Sequence, residues 1–353
     1  MTVFNPLKLF TLAMMALALP LQGATAAGKP LTISVIYGPD KPQAKLWFHF
    51  RDEVEQALPG AFDFRIVTGG ALGGEKETAE GVRIGSVNAA ESTLANLTTW
   101  VPEGALFDMP FMFRNSGHID RVMAGPIGDE FREKYAAEGF HILGYITYGA
   151  RNIISKEPIR KPADVRGRKM RVLQSALHVD LWKSLGANPT AVPITEAYNA
   201  LSTGVVDYMD MTKSGYEALK LYEVVPSFTE TSHIWALGAI YMSSDYWQNL
   251  TAEQQAVFTR AGKSAAAFFN ELAGCLRHHA GYPPLAACNV PLLGKLCTES
   301  RRSGAYSAYC CDRIGSVTRP VRRNQRNRAA IPVRPQCKRN RLPWSHGPPS
   351  PVQ

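Results

Sequence analysis

Two rhythms of hydrophobic and polar positions alternate along the chain. Residues 31–37 (LTISVIY) and 62–67 (FDFRIV) are rich in β-branched and aromatic residues, and both predict strands. Between them Leu46, Phe50, Val54 and Leu58 recur at helical spacing, which predicts a helix over residues 43–58. Strand, helix, strand in this order predicts a right-handed parallel unit. Further helices are predicted from Glu75 to about residue 84 and over residues 115–139, the latter with an apolar stripe of Ile119, Val122, Met123, Ile127 and Phe131. Residues 142–148 and 169–173 predict strands, the second bounded by Gly167 and alternating in type.

The remaining pattern has the same character. Thr195 predicts the N-cap of a short helix ending at Gly204, followed by a buried strand at residues 205–207. Residues 214–222 read as helix, 224–229 as extended chain and 231–241 as a strand. Thr251 caps a long helix from residue 252 to about 272. A short helix, a Gly, a strand and then polar residues occur twice, at Gly85 to Thr93 and at Gly204 to Thr212, a hint of two similarly built halves. The expected fold class is α/β, two-lobed, with crossing strands and a long bracing helix. The aromatic run Phe107-Asp108-Met109-Pro110-Phe111-Met112-Phe113 reads as core beneath the first half.

Composition changes this picture at both ends. Residues 1–26 carry Lys8, an apolar run from Leu9 to Leu21 and a small-residue cleavage site at Ala24-Thr25-Ala26, the pattern of a signal peptide. That run is too short to span a bilayer. The formal charge of +9 is unevenly placed: residues 275–353 hold 14 Lys/Arg against 2 Asp/Glu, leaving 25 against 28 before them. All six cysteines, from Cys275 to Cys337, also lie in that last stretch. The preceding chain is therefore cysteine-free and slightly acidic, and its length suffices for two lobes with real cores.

Candidate chemistry centres on two arginines 20 residues apart, Arg151 after Tyr148-Gly149-Ala150, read as a turn, and Arg171 within the 169–173 strand. Alternation sets Arg171 opposite Met170 and Val172, which face a core. A guanidinium at a strand end is a planar, permanently charged fork that holds a carboxylate by two parallel hydrogen bonds, although a solvated strand arginine reads the same way. Ligands in open α/β sheets sit beyond the carboxyl ends of strands. Tyr37, at the end of the first strand, is thus a pocket candidate, with packing in a turn as its alternative. The loop from Gly69 to Gly74 leads into Glu75, Lys76 and Glu77, not the Lys-Ser/Thr of a phosphate cradle, which excludes that kind of nucleotide site. Gly85-Ser86-Val87-Asn88 lacks the second glycine of a nucleophile elbow, and we read no enzyme here. The cysteines form no Cys-x-x-Cys pair, and neither a metal nor a cofactor is expected.

The ordered set of phrases is specific. Gly149-Ala150-Arg151-Asn152, Gly167-Arg168-Lys169-Met170-Arg171-Val172, Gly186-Ala187-Asn188-Pro189-Thr190, Glu196-Ala197-Tyr198-Asn199-Ala200-Leu201 and Gly204-Val205-Val206-Asp207 follow the Gly69–Glu75 loop and the 107–113 run. Together they cover about residues 30–270 and resemble the substrate-binding subunits of tripartite ATP-independent periplasmic (TRAP) transporters, the DctP-type family. The resemblance implies lobe I from residues 28–148 plus 237–274 and lobe II from 149–236, closing on a ligand by hinge motion. It implies that Arg171 grips a carboxylate, with Arg151 assisting. Glu75, Glu91 and Asp210 are read as acceptors for ligand hydroxyls, and Trp235 and Tyr37 as pocket walls. Met211 stands where several members carry an Asn, a departure from a sialic-acid-like site. The implied ligand is a small organic acid, such as a uronate or aldonate. The implied protein is a periplasmic monomer that docks on the small and large TRAP membrane subunits and takes no nucleic acid. Service to a sensor kinase is the alternative. Beyond about Gly274 the family would continue with amphipathic helices, whereas this chain turns Pro-, Arg- and Cys-rich. We read residues 275–353 as a tail unrelated to the fold, of the kind a frameshift leaves, against a genuine basic appendage for nucleic acid or metal.

Overall fold

The structure is a computed structural model that describes residues 28–278, with side chains as far as residue 274. The signal-peptide reading at residues 1–26 lies outside the described residues, as does the Cys-rich tail beyond residue 278. In chain order the elements that matter are β1 (Lys29–Ser34), α1 (Pro42–Ala57), β2 (Phe62–Val67), α2 (Glu75–Arg83) and β3 (Ala89–Thr93). Then come α3 (Ser116–Met123), α4 (Pro126–Ala137), β4 (Phe140–Ser155), β5 (Lys169–Val172), α5 (Ala176–Ser184) and β6 (Asn188–Ala191). The chain continues with α6 (Ala197–Ser202), β7 (Tyr208–Thr212), α7 (Lys213–Ala218), β8 (Ser227–Ser243), α8 (Ser244–Gln248) and α9 (Ala252–His278).

All eight strands form one sheet in the order β2-β1-β3-β8-β4-β7-β5-β6. β1 runs parallel to β2 and β3, as the opening strand–helix–strand pattern predicts. At the other end β5 runs parallel to β6 and β7. Between these two groups β4 and β8 pair antiparallel over most of their length and carry the sheet from one end to the other. The expected strand over 142–148 is therefore only part of β4, and Tyr148-Gly149-Ala150 is not a turn. The pairing instead shifts register between Thr147 and Gly149, where Gly149 takes a φ of 112° that side-chain-bearing residues avoid. A bulge bends the strand without ending it, and Arg151 follows inside it.

Other departures have local causes. The helix expected over 115–139 breaks at Gly125-Pro126, because a proline has no N–H to give inside a helix and sits well at the start of the next. The phase of the stripe is lost there: Ile119, Met123 and Phe131 are buried, but Ile127 is 46% exposed. Thr195 caps nothing; it lies in a single 3-10 turn, Ile194–Glu196, that runs into α6. The strand expected at 205–207 begins at Tyr208, since the Asp207 carboxylate instead accepts the Lys169 backbone N–H at 2.9 Å and ties the loop to β5. The 107–113 run divides: Phe107 and Phe113 are core, while Met109, Phe111 and Met112 are exposed. At α9 the expected cap is present, with Thr251 Oγ1 accepting from Gln254 N–H at 3.2 Å and Gln254 Oε1 accepting in return at 3.0 Å. The helix continues to His278, beyond the expected end near residue 272.

Burial explains why the long helix braces the sheet. α9 packs on α1 and β4, with the Phe258 and Phe50 rings edge-to-face at 5.2 Å. A Cβ on Gly144 would come within 2.8 Å of the Ala266 Cβ, so only glycine allows this closeness of β4 and α9. The largest core includes residues from both ends of the sheet, from Leu31 and Trp47 to Leu201 and Met209. A second core lies beneath β3 and α4, and a third around Met170, Val172 and Trp182 on β5 and α5.

Candidate functional site

The site forms where β1, β5 and β7 end, beside the bulged middle of β4. Arg171 sits on β5, paired with Thr190 of β6 and Met209 of β7. Met170, Arg171 and Val172 are all buried, because the strand is covered on both faces. The expected division of Arg171 from an apolar face is therefore present in direction but not in exposure. Its Nε–H donates to the Val192 carbonyl at 2.8 Å. Its terminal nitrogens meet no carboxylate among the described residues, although the side chain is only 3% exposed. Burial first, and then the like charge of Arg151, push the guanidinium down to about 10. It remains a cation at neutral pH, without a direct ion pair among the described residues, although Asp210 and Glu75 lie near enough to favour its charge.

Arg151, on β4 with β7 between it and β5, is in a different state. Its Nε donates to Asp210 Oδ2 at 2.7 Å, and its Nη2 to Asp210 Oδ1 at 2.8 Å and to the Asp210 carbonyl at 2.9 Å. Asp210 is wholly buried and also meets His233 Nε2 at 3.2 Å. Burial works to raise this carboxyl, but the Arg151 charge and hydrogen bonds, aided by His233, outweigh it and hold it well below the usual range. Both oxygens are thus engaged inside the protein, so Asp210 is Arg151's counter-ion and does not line the cavity, in contrast to the expected role toward ligand hydroxyls.

The polar walls of the cavity are Tyr37, Glu75, Thr93, Tyr148, Arg151, Arg171 and Thr212. Leu173, Ile194, Met211 and Ala236 complete them. Glu75 opens α2 directly after the glycine-rich loop; its Oε1 accepts the Thr93 backbone N–H at 3.1 Å and its Oε2 accepts from Asn96 Nδ2 at 2.5 Å. Burial raises its carboxyl, against the Thr93 hydrogen bond and the two arginines. Tyr37 is buried on the wall, its hydroxyl raised by burial and then by Glu75 and Glu91.

Two expected residues stand elsewhere. Glu91 lies in mid-β3, off the wall, where its Oε2 accepts the Trp47 indole N–H at 2.6 Å and burial raises the carboxyl well above its usual range. Trp235 does not line the cavity: Ala236 does, and strand alternation turns Trp235 to the opposite face against the second core. Sequence reasoning did not single out Thr93, Tyr148 or Thr212 as site residues. Tyr148 and Thr212 are brought together only by the β4–β7 pairing, whose register sets Arg151 opposite Thr212.

The cavity is small. It measures about 20 Å³, room for about one water molecule. The two ends of the sheet also touch outside its lining: Lys41 Nζ meets Glu217 Oε1 at 3.0 Å, and Asp108 Oδ2 meets His178 Nε2 at 3.0 Å. Gly70 lies against Thr195 as well, its ideal Cβ position 3.1 Å from the Thr195 methyl.

A continuous sheet with a small cavity walled by two arginines and Glu75 sets the site. The model of the family "Bacterial extracellular solute-binding protein, family 7" (DctP) matches residues 33–277, and the chain belongs to that family. It is a family of TRAP-type receptors and not of enzymes. A solute-binding protein of Sulfitobacter sp. (strain NAS-14.1) is 34% identical over 231 residues, 63% of this chain and 68% of that protein. A TRAP periplasmic solute binding protein from Sulfitobacter sp. NAS-14.1, solved with bound β-D-galacturonate, is 28% identical with a TM-score of 0.68, covering 70% of this chain and 82% of that one. Another from Xanthobacter autotrophicus Py2, also with bound β-D-galacturonate, is 25% identical with a TM-score of 0.68 and covers 81% and 98%.

Proposed function

We propose that this protein is the periplasmic receptor of a TRAP transporter for a hydroxylated organic acid, a hexuronate or an aldonate. Residues 1–26 direct export, residues 28–148 plus 237–274 and residues 149–236 act as the two closing lobes, and the closed receptor docks on the small and large membrane subunits. One observation carries the reading: Arg171 is a buried guanidinium on the cavity wall with no direct ion pair among the described residues, beside an arginine already paired with Asp210. Such a group gains most from a carboxylate, which supplies the missing charge and a bidentate acceptor. Glu75, Thr93, Tyr37 and Tyr148 on the same walls offer partners for hydroxyls. The two relatives with bound galacturonate support this class of ligand.

Melting curves test it, since a ligand that binds only the folded state raises the melting temperature. Galacturonate, glucuronate or galactonate is expected to raise it, whereas galactose, without a carboxylate, leaves it unchanged. Equal shifts with galactose, or none with any acid, would sink the reading.

A further inference from the structure

Two residues of the cavity wall are tied together by a third that is not part of it. β3 ends at Thr93, and a single 3-10 turn, Leu94–Leu97, follows it directly. Side chains three apart eclipse in such a turn, which brings Asn96 back over Thr93. Asn96 is 3% exposed and does not line the cavity. Its amide Nδ2, with two hydrogens to give, reaches two residues that do: Glu75 Oε2 at 2.5 Å and Thr93 Oγ1 at 3.0 Å. Glu75 Oε1 meanwhile accepts the Thr93 backbone N–H at 3.1 Å. The three residues close a ring that joins the start of α2 to the end of β3. The ring also fixes which way the amide faces, because Asn96 Oδ1 turned toward Glu75 would set acceptor against acceptor.

The same bonds set the polarity of the wall. Burial raises the Glu75 carboxyl, and the hydrogen bonds from Thr93 and Asn96 work against that, toward the ionised form that only accepts. A hydroxyl oxygen that accepts from Asn96 keeps its own hydrogen for another partner. We infer that Asn96 is a positioning residue for ligand hydroxyls: it holds Glu75 as an acceptor and Thr93 as a donor, so that one hydroxyl gives its proton to Glu75 and receives one from Thr93. Both wall groups are bonded to the same nitrogen, which keeps them close enough to share one ligand oxygen. The pair adds affinity for hydroxylated acids and leaves untouched a bare carboxylate, which needs only Arg171. The inference rests on the sugar-acid reading above and adds the residue that orients the hydroxyl-binding part of the site.

The ratio of galacturonate to acetate affinity, measured by titration calorimetry, tests it, because acetate has no hydroxyl for Glu75 or Thr93 to hold. Asn96→Leu keeps the bulk and removes both hydrogen bonds, and the ratio is expected to fall about tenfold, the worth of one or two well-aligned hydrogen bonds. Asn96→Asp has the same shape, gives up both N–H donors and can take the Thr93 hydrogen for itself. The same fall is expected there, and this variant decides if Asn96→Leu does not fold. Thr93→Val alone should lower the ratio severalfold, and adding it to Asn96→Leu should lower it little further. An unchanged ratio in the Asn96 variants overturns the inference, whether both affinities hold or both fall together. Losses that multiply fully in the double variant overturn it too, because Asn96 would then act without Thr93. If wild-type protein binds no sugar acid at all, the functional reading fails; if it binds and the Asn96 variants keep the ratio, only the role of Asn96 fails.

Discussion

Arg151 and Arg171 are both buried arginines on neighbouring stretches of one sheet, yet they are set up for opposite tasks. Arg151 is locked by three hydrogen bonds to Asp210, which His233 also approaches. Arg171 has one backbone acceptor, Val192, and a like charge nearby. A buried pair with its hydrogen bonds made is a fixed part of the wall. A buried cation without its anion is a stored cost that binding can relieve. The lesson is that residue type and burial do not identify the ligand-gripping arginine; the satisfaction of its charge does.

Breaking the fixed pair is expected to have the largest effect. Asp210→Ala leaves Arg151 buried and uncompensated, and the loss of folding stability is expected to be about 3–5 kcal/mol, measured by urea unfolding. Adding Arg151→Met to that variant should restore much of the loss, because it removes the orphaned charge. A stable Asp210→Ala protein would erase the contrast between the two arginines. The pH dependence follows from the same pair. Asp210's folded value lies well below its ordinary one, so its contribution is fully present above the unfolded carboxylate value of about 3.9 and is lost as pH falls through the folded value. The stability gap between wild type and Asp210→Asn should accordingly narrow below about pH 4, the ordinary aspartate value.

Arg171→Met attacks the other member. Affinity for a sugar acid is expected to fall by about 3 kcal/mol, roughly a hundredfold, by titration calorimetry. The ligand-free protein should lose little, because the substitution removes one hydrogen bond to Val192 together with an uncompensated charge. If ligand-free stability falls as far as in Asp210→Ala, Arg171 is structural and the comparison fails.

The sequence carried the strand–helix–strand opening, the cap of α9 and both arginines, because each is a local pattern or a family phrase. It did not carry the long strands. β4 and β8 bulge against each other at three places, and each register shift interrupts the period of two by which a strand is recognised. Asp210 was visible as a residue but not as Arg151's partner, since their meeting depends on the β4–β7 register and not on spacing along the chain. Trp235 was misplaced by a single step of alternation, because Ala236, too small to attract notice, is the residue on the cavity side.

The smallest expected effect sharpens the comparison most. Acetate is a carboxylate with no hydroxyls, small enough to reach Arg171 with little parting of the walls. At roughly ten times its dissociation constant it should stabilise the wild-type protein by about 1.4 kcal/mol, read as a rise in melting temperature. In Arg171→Met the rise should vanish, because Arg151 has no charge left to offer. Acetate stabilising both proteins alike would mean that a general salt effect is at work, and that neither arginine presents a free positive charge to the cavity.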